Sequence, residues 1–224
     1  MKKLVVMTTV ISALFFGMGV ANAAAGQSTI SIGYAQFHSN GLKNAINSDK
    51  RDAYDLFDSD AYHIGDYKDP KGFNIKYRYE FSDQWGIISS FSYAKAKSNS
   101  SINAIDPDSS DVVKGKGNSK VDYYNIMVGP AYRVNDYVSG YAMLGIATSN
   151  IKSSGNLFYD LSYTTGTTGS YSGTENDRDT ALSYSIGFQV NPISNIAIDV
   201  AYEGAGHGSN GQVSGFNVGI GYSF

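Results

Sequence analysis

The stretch FNIKYRYEF, residues 73–81, alternates without a break: Phe73, Ile75, Tyr77, Tyr79 and Phe81 are large and apolar or aromatic, and Asn74, Lys76, Arg78 and Glu80 stand between them. Strict period-two alternation predicts a β-strand with two opposite faces. In a soluble sandwich the apolar face would meet a second sheet and the charged face water. In an outer-membrane barrel the apolar face meets lipid and the charges line a closed interior.

Seven further segments carry a related signal. Residues 29–36 put Ile30, Ile32 and Tyr34 on one face, and residues 85–95 put Trp85, Ile87, Phe91 and Tyr93 together, with Ser89 a small exception. Residues 121–134 align Tyr124, Ile126, Val128, Pro130, Tyr132 and Val134 against Asn125, Gly129, Ala131 and Arg133. Residues 180–190 align Leu182, Tyr184, Ile186, Phe188 and Val190, and residues 196–203 align Ile196, Ile198, Val200 and Tyr202 opposite Asp199 and Glu203. Residues 212–224 close the chain with Phe216, Val218, Ile220, Tyr222 and Phe224 on one face. Residues 138–148 are weakly apolar on both faces, which leaves their inward and outward register open.

The connectors alternate in length. SDQ, NDY and NPISN are short and rich in turn formers, whereas the other four connections are long and polar. Short turns on one rim and long loops on the other are how bacterial barrels are built. Strands of nine to eleven residues at roughly 3.3 Å each, tilted by about 40°, span about 25 Å, the height of a lipid-facing apolar band. The pattern therefore predicts an all-β fold: an eight-stranded antiparallel transmembrane β-barrel with short periplasmic turns and four long extracellular loops. A barrel this narrow is filled by side chains, not open as a pore. Lys76, Arg78 and Glu80 are then expected inside, paired with Arg133, Asp199, Glu203 and tyrosine hydroxyls, because buried charges persist only when paired and hydrogen-bonded.

The N-terminus supplies the export route. Lys2 and Lys3 precede an apolar run, and Ala21-Asn22-Ala23 reads as a small-x-small cleavage site, so residues 1–23 are expected to be a cleaved signal peptide and residues 24–224 the barrel. Losing Lys2 and Lys3 leaves 15 of the 17 basic residues against 20 acidic ones, no footprint for nucleic acid. There is no cysteine, so neither a disulfide nor a thiolate metal site is available. Eighteen Tyr, 11 Phe and 25 Gly suit interfacial girdles around a crowded interior.

The stretches NIKYRYEF, ISSFSY, MVGPAYRVNDYVSGYAMLG, NPISNIAIDVAYEG and the ending GFNVGIGYSF together resemble the Ail/Lom/OmpX family of outer-membrane proteins, its PagC-like members most of all. The resemblance covers all eight predicted strands and both chain ends but not the four long loops. It implies residence in the outer membrane of a Gram-negative bacterium, or a phage-encoded protein delivered there. It also implies contact with lipid and lipopolysaccharide, a monomeric barrel, no cofactor, and an activity of the adhesion, invasion or serum-resistance type carried by the loops. The final alternating strand ending in Phe224 resembles the signal read by the outer-membrane assembly machinery.

The loops hold the candidate binding residues. Loop 1, about 37–71, sets seven Asp against Lys43, Lys50, Arg51 and Lys68 and interleaves Tyr54, Phe57, Tyr62 and Tyr67. Aromatics on exposed loops suit a binding surface, and the acids equally suit a merely solvated loop. The Asp spacing lacks the glycine-centred pattern of an EF-hand calcium loop. Loop 2 brings Lys114, Lys116 and Lys120 together, a match for glycan sulfates, for lipopolysaccharide phosphates, or for ordinary rim lysines. Loop 3 is rich in Ser, Thr, Gly and Tyr, with Tyr159, Tyr163 and Tyr171 as rigid anchors in a composition shared by binding paratopes and plain flexible loops. The only histidines, His38, His63 and His207, fall in loops without a nucleophile motif, which argues against an enzyme, including an outer-membrane lipid acyltransferase. Host cells, matrix proteins or complement regulators are the expected ligands. An envelope-structural barrel without a dedicated ligand is the alternative.

Overall fold

The computed structural model of the chain describes residues 25–40, 43–44, 46–48, 62–66, 68–105, 110–206 and 212–224. The proposed signal peptide lies outside them. Eight strands follow one another around a closed ring: β1 (Ser28–Ser39), β3 (Lys71–Glu80), β4 (Trp85–Ile105), β5 (Val112–Arg133), β6 (Val138–Leu161), β7 (Thr167–Ile193), β8 (Ile196–Ala205) and β9 (Val213–Ser223). Every neighbouring pair is antiparallel, and pairing of β1 with β9 closes the barrel. A three-residue strand, β2 (Tyr62–Ile64), lies outside the ring and pairs with β4 at Ser100–Ile102. Closure leaves the ring no open edge in the lipid, which an open sheet could not achieve there.

The period-two pattern sets the two faces. Ile30, Ile32, Ile75, Ile87, Ile126, Val128, Leu144, Ile146, Leu182, Ile186, Val218 and Ile220 point outward and are exposed in the isolated chain, as a lipid-facing band must be. Aromatic rings bracket it. Toward the short-turn rim stand Trp85 against Tyr132, with ring centroids 4.9 Å apart. Toward the other rim stand Phe73, Tyr93 and Tyr124, with the Tyr93 and Tyr124 rings 5.0 Å apart. Trp85 and Tyr93 are separated by roughly 26 Å of strand, about 20 Å along the membrane normal after tilt.

Strand β6 settles the segment whose register the sequence left open. Tyr141, Met143 and Ala147 are buried inside, and Leu144 and Ile146 face out. Val190 departs from the expected outward set: it is buried, beside the irregularity between Val190 and Ile193 where β7 meets β8. The short turns are closed by their own polar side chains. Asn135 accepts hydrogen bonds from the backbone N–H groups of Tyr137 and Val138, both at 2.9 Å.

The largest difference from expectation lies beyond the far rim. Loops 2 and 3 are mostly strand. β4 and β5 remain paired as far as Ile105 and Val112, and β6 and β7 as far as Leu161 and Thr167. The β5–β6 ladder also continues, to Val112 and Asp160. Four strands thus rise clear of the barrel as one sheet. Outside lipid neither face needs to be apolar, so the hydrophobic alternation that marks a membrane strand stops while the backbone ladder goes on.

Candidate functional site

Two regions gather the candidate residues: the barrel interior and the projecting sheet. Inside, Lys76, Arg78, Glu80, Arg133, Asp199 and Glu203 are all buried. Lys76 donates to Asp199 and to the Asn217 side-chain carbonyl. Asp199 also accepts from the Tyr141 hydroxyl, at 2.9 and 3.0 Å. Gly187 makes that possible, since a Cβ there would lie 2.4 Å from the Tyr141 ring. Glu80 lies between Arg78 and Arg133, and Arg78 also donates to Gln189 at 2.9 Å. Glu203 has no cation within ion-pair distance among the described residues. It is held by neutral donors instead: Ser92 at 3.0 Å, Asn125 at 3.2 Å and Asn217 at 2.6 Å. Three cations therefore meet three carboxyl groups in two bonded clusters, one around Lys76, Asp199, Asn217 and Glu203 and one around Arg78, Glu80 and Arg133, with the neutral side chains filling positions that the charges leave open. Tyr141 is the member that sequence reasoning missed, because its strand had no assigned register.

Above this network Phe37 and Tyr123 pack with ring centroids 4.6 Å apart, among Ala35, Ala94, Ala147 and Ala205. This apolar layer closes the interior toward the long-loop rim. The interior is a packed and paired core, and its arrangement is structural.

The projecting sheet is where chemistry reaches solvent. Lys114, Lys116 and Lys120, expected in a loop, lie on β5, with Lys114 and Lys116 exposed on its outer face. Lys120 stands directly across from Lys97 on β4 and Lys152 on β6, so three ammonium groups form one row across three strands. The row beneath contains Lys95, Asp122, Asn150 and Arg178. Asp122 bonds Lys120 at 2.7 Å and accepts from the Tyr93 hydroxyl at 2.8 Å. Burial pushes the Asp122 carboxyl upward, but these two hydrogen bonds and the charges of Lys120 and Lys152 outweigh it and hold the group below the usual carboxylate range. The hydrogen bond to Asp122 raises the Lys120 ammonium in turn. Both rows sit just above the Tyr93–Tyr124 girdle, the Lys95–Asp122 pair two and the Lys97–Lys120 pair four residue pairs further along the ladder.

The aromatic candidates divide. Tyr159 lies on β6 and Tyr171 on β7, again strand where loop was expected, and Tyr163 is in the turn between them. Tyr163 is 78% and Tyr171 70% exposed, while Tyr159 covers Gly169. Tyr62 opens β2, and Tyr54, Phe57 and Tyr67 lie outside the described residues. Asp111 accepts from the Tyr163 N–H at 3.1 Å and from the Thr164 hydroxyl, tying the tip of the β4–β5 hairpin to that of β6–β7. His38 bonds Asp69 at 2.8 Å on the outer rim of β1, His63 lies in β2, and His207 falls outside the described residues. Among the described residues no group of three or more His, Asp or Glu side chains is placed to hold a metal ion.

A closed antiparallel ring with an apolar outer band, a paired interior and strands rising beyond one rim defines a small outer-membrane β-barrel. The chain belongs to the enterobacterial Ail/Lom protein family, whose model matches residues 1–224. It is 34% identical over 227 residues to the attachment invasion locus protein of Yersinia enterocolitica, covering 100% of both chains. It is 36% identical over 174 residues to the virulence membrane protein PagC of Salmonella typhimurium, covering 75% of this chain and 88% of that one. Among solved structures it is similar to the Ail protein of Yersinia pestis in complex with the heparin analogue sucrose octasulfate. The TM-score is 0.56 at 29% identity, over 89% of this chain and 99% of that one. The protein therefore resides in the outer membrane, among virulence-associated relatives, and its family is one of non-enzymatic barrels.

Proposed function

We propose that the projecting sheet and the connections around it bind ligands of a host cell, its matrix or its complement regulators, giving adhesion, invasion or serum resistance. The observation that carries this reading is the exposure of large rings where lipid cannot cover them. Phe158, Tyr163 and Tyr171 all lie beyond the aromatic girdle and stay 47%, 78% and 70% exposed. Exposed aromatics on a rigid strand scaffold provide contact area at low entropic cost. The row Lys97–Lys120–Lys152 adds an anion site, because like charges directly opposite destabilise a sheet and the single carboxylate of Asp122 offsets only one of the three. Its height just above the girdle suits lipopolysaccharide phosphates, and its chemistry equally suits glycan sulfates. The protein acts as a monomer, since the closed ring offers lipid no edge to pair. The strand ending at Phe224, exposed at the rim, is the segment offered to the assembly machinery.

The test is expression in a non-adhesive, serum-sensitive Gram-negative host, with surface display verified. Attachment and serum survival should rise, and should fall back when residues 98–118 and 153–175 are each replaced by a short Gly/Ser turn. Well-displayed protein that changes neither property would favour the envelope-structural reading.

A further inference from the structure

Four interior side chains from three strands meet at one point. On β9, Asn217 stands opposite Ala201 of β8, so Asp199 and Glu203, the inward residues on either side of Ala201, flank it on the same face. Lys76 reaches the same place from β3, across β1, whose residue in register with it is the small Ser31. Lys76 Nζ donates to Asp199 Oδ1 and to Asn217 Oδ1, while Asn217 Nδ2 donates to Glu203 Oε1 at 2.6 Å. An ammonium can only donate, so it fixes the Asn217 amide with its oxygen toward Lys76 and its nitrogen toward Glu203. None of the four residues is more than 2% exposed.

These are the parts of an amide exchange. An amine touches a carboxamide. One carboxylate is bonded to the amine and can take its proton, and a second carboxyl group is bonded to the nitrogen that would leave. Both carboxyl groups are themselves held: Asp199 by the Tyr141 hydroxyl at 2.9 and 3.0 Å, Glu203 by Ser92 at 3.0 Å and Asn125 at 3.2 Å. Fixing amine and carboxamide together in a site without bulk water favours their reaction with each other and keeps hydrolysis from competing.

We propose that Lys76 and Asn217 join in an intramolecular isopeptide bond once the ring has closed. Lys76 Nζ bonds to Asn217 Cγ, and the Cγ–Nδ2 bond breaks. Of the three ammonium protons, one stays on Asp199 and one remains on the new amide nitrogen. The third passes by way of Glu203 to Nδ2, which leaves as ammonia. Nothing is oxidised or reduced, and the Lys76 cation and the Asp199 anion are discharged together. The two joined residues are 141 positions apart, on the strands that flank β1. The bond therefore fastens β1 into the ring across the seam with β9, and it keeps a long loop closed when the barrel unfolds.

The test follows the intact mass of the full barrel, unfolded in urea, refolded into micelles and returned to denaturant for measurement. The chain before refolding should have the mass of its sequence, and the refolded chain should become lighter by one ammonia. Trypsin should then release a branched peptide that joins residues 72–78, uncut at Lys76, to residues 179–224. Lys76→Arg keeps a cation beside Asp199, and Asn217→Ala keeps the lysine; both should hold full mass after refolding. Glu203→Gln should slow the loss of ammonia about tenfold or more, a change in rate that a merely structural role would not produce. Wild-type protein that refolds, as judged by its heat-dependent gel mobility, and still has full mass would overturn the proposal. So would ammonia loss that persists in Lys76→Arg. Loss of water instead, with the branch at Asp199, would overturn Asn217 as the acceptor.

Discussion

At the scale of single residues, the interior charges are the most consequential side chains. Lys76 and Asp199 are each almost fully buried, so neither can be left alone without stranding an ion in the core. Lys76→Met should lower barrel stability by about 3–5 kcal/mol, seen as a drop in the urea midpoint of the folded form. Combining it with Asp199→Leu should recover a large part of that loss, because removing both charges also removes their desolvation cost. A double variant no better than the single one would show that Tyr141 depends on Asp199 for its own placement. At the rim, Asp122 gives a pH-dependent counterpart. Its folded-state pKa lies below the unfolded value of about 3.9. The stability it contributes is therefore complete above that value and is lost as pH falls through the lower folded one. A carboxyl NMR titration should place the Asp122 midpoint below that of an ordinary Asp, and Lys120→Ala should move it up.

At the scale of elements, the chain was legible where lipid imposes a code and illegible where it does not. The stretch FNIKYRYEF displayed both of its faces, and β3 places Phe73 to Tyr79 outward and Asn74 to Glu80 inward as the alternation required. Strand β6 defeated the reading because Tyr141 and Met143 point into the barrel, so its inner face is nearly as apolar as its outer one. The upper halves of β4 to β7 defeated it for the opposite reason. In KGKGNSK the alternation is Lys against Gly, a pattern with water on both sides and no hydrophobic term to betray a strand. The interior ions were readable as inward-facing and Arg133, Asp199 and a tyrosine hydroxyl as their partners, but which ion meets which was not, since pairing depends on which strands meet across the ring. The projecting hairpins depend on a few local ties, and Asp111 is one of them. Asp111→Ala removes its bonds to Tyr163 and Thr164 at a cost of about 1–3 kcal/mol confined to the tips. Proteinase K should then cleave near residues 162–166 faster, with the urea midpoint of the barrel unchanged. A midpoint that fell together with the tip would show the projecting sheet and the barrel to be one cooperative unit.

At the scale of the whole molecule, the two regions divide the work. The ring places its ions, neutral bonds and the Phe37–Tyr123 layer inside, where they fill the lumen, and keeps every solvent-facing aromatic of the projecting sheet out of it. Filling a ring of eight strands this way leaves no continuous water column, so the purified barrel in a planar bilayer should show no stable conducting steps. The same division predicts independence of the two parts. The interior network draws on residues between Asn74 and Arg133 of β3 to β5 and on Tyr141, Gln189, Asp199, Glu203 and Asn217, and on nothing from the tips. Cutting β4–β5 and β6–β7 back to short turns just above the Tyr93–Tyr124 girdle should therefore leave a barrel that folds, inserts and keeps its unfolding free energy within about 1 kcal/mol. That shortened barrel should lose the surface binding. A shortened chain that failed to insert would mean that the projecting strands take part in closing the ring, and that display of the sheet and assembly of the barrel cannot be separated.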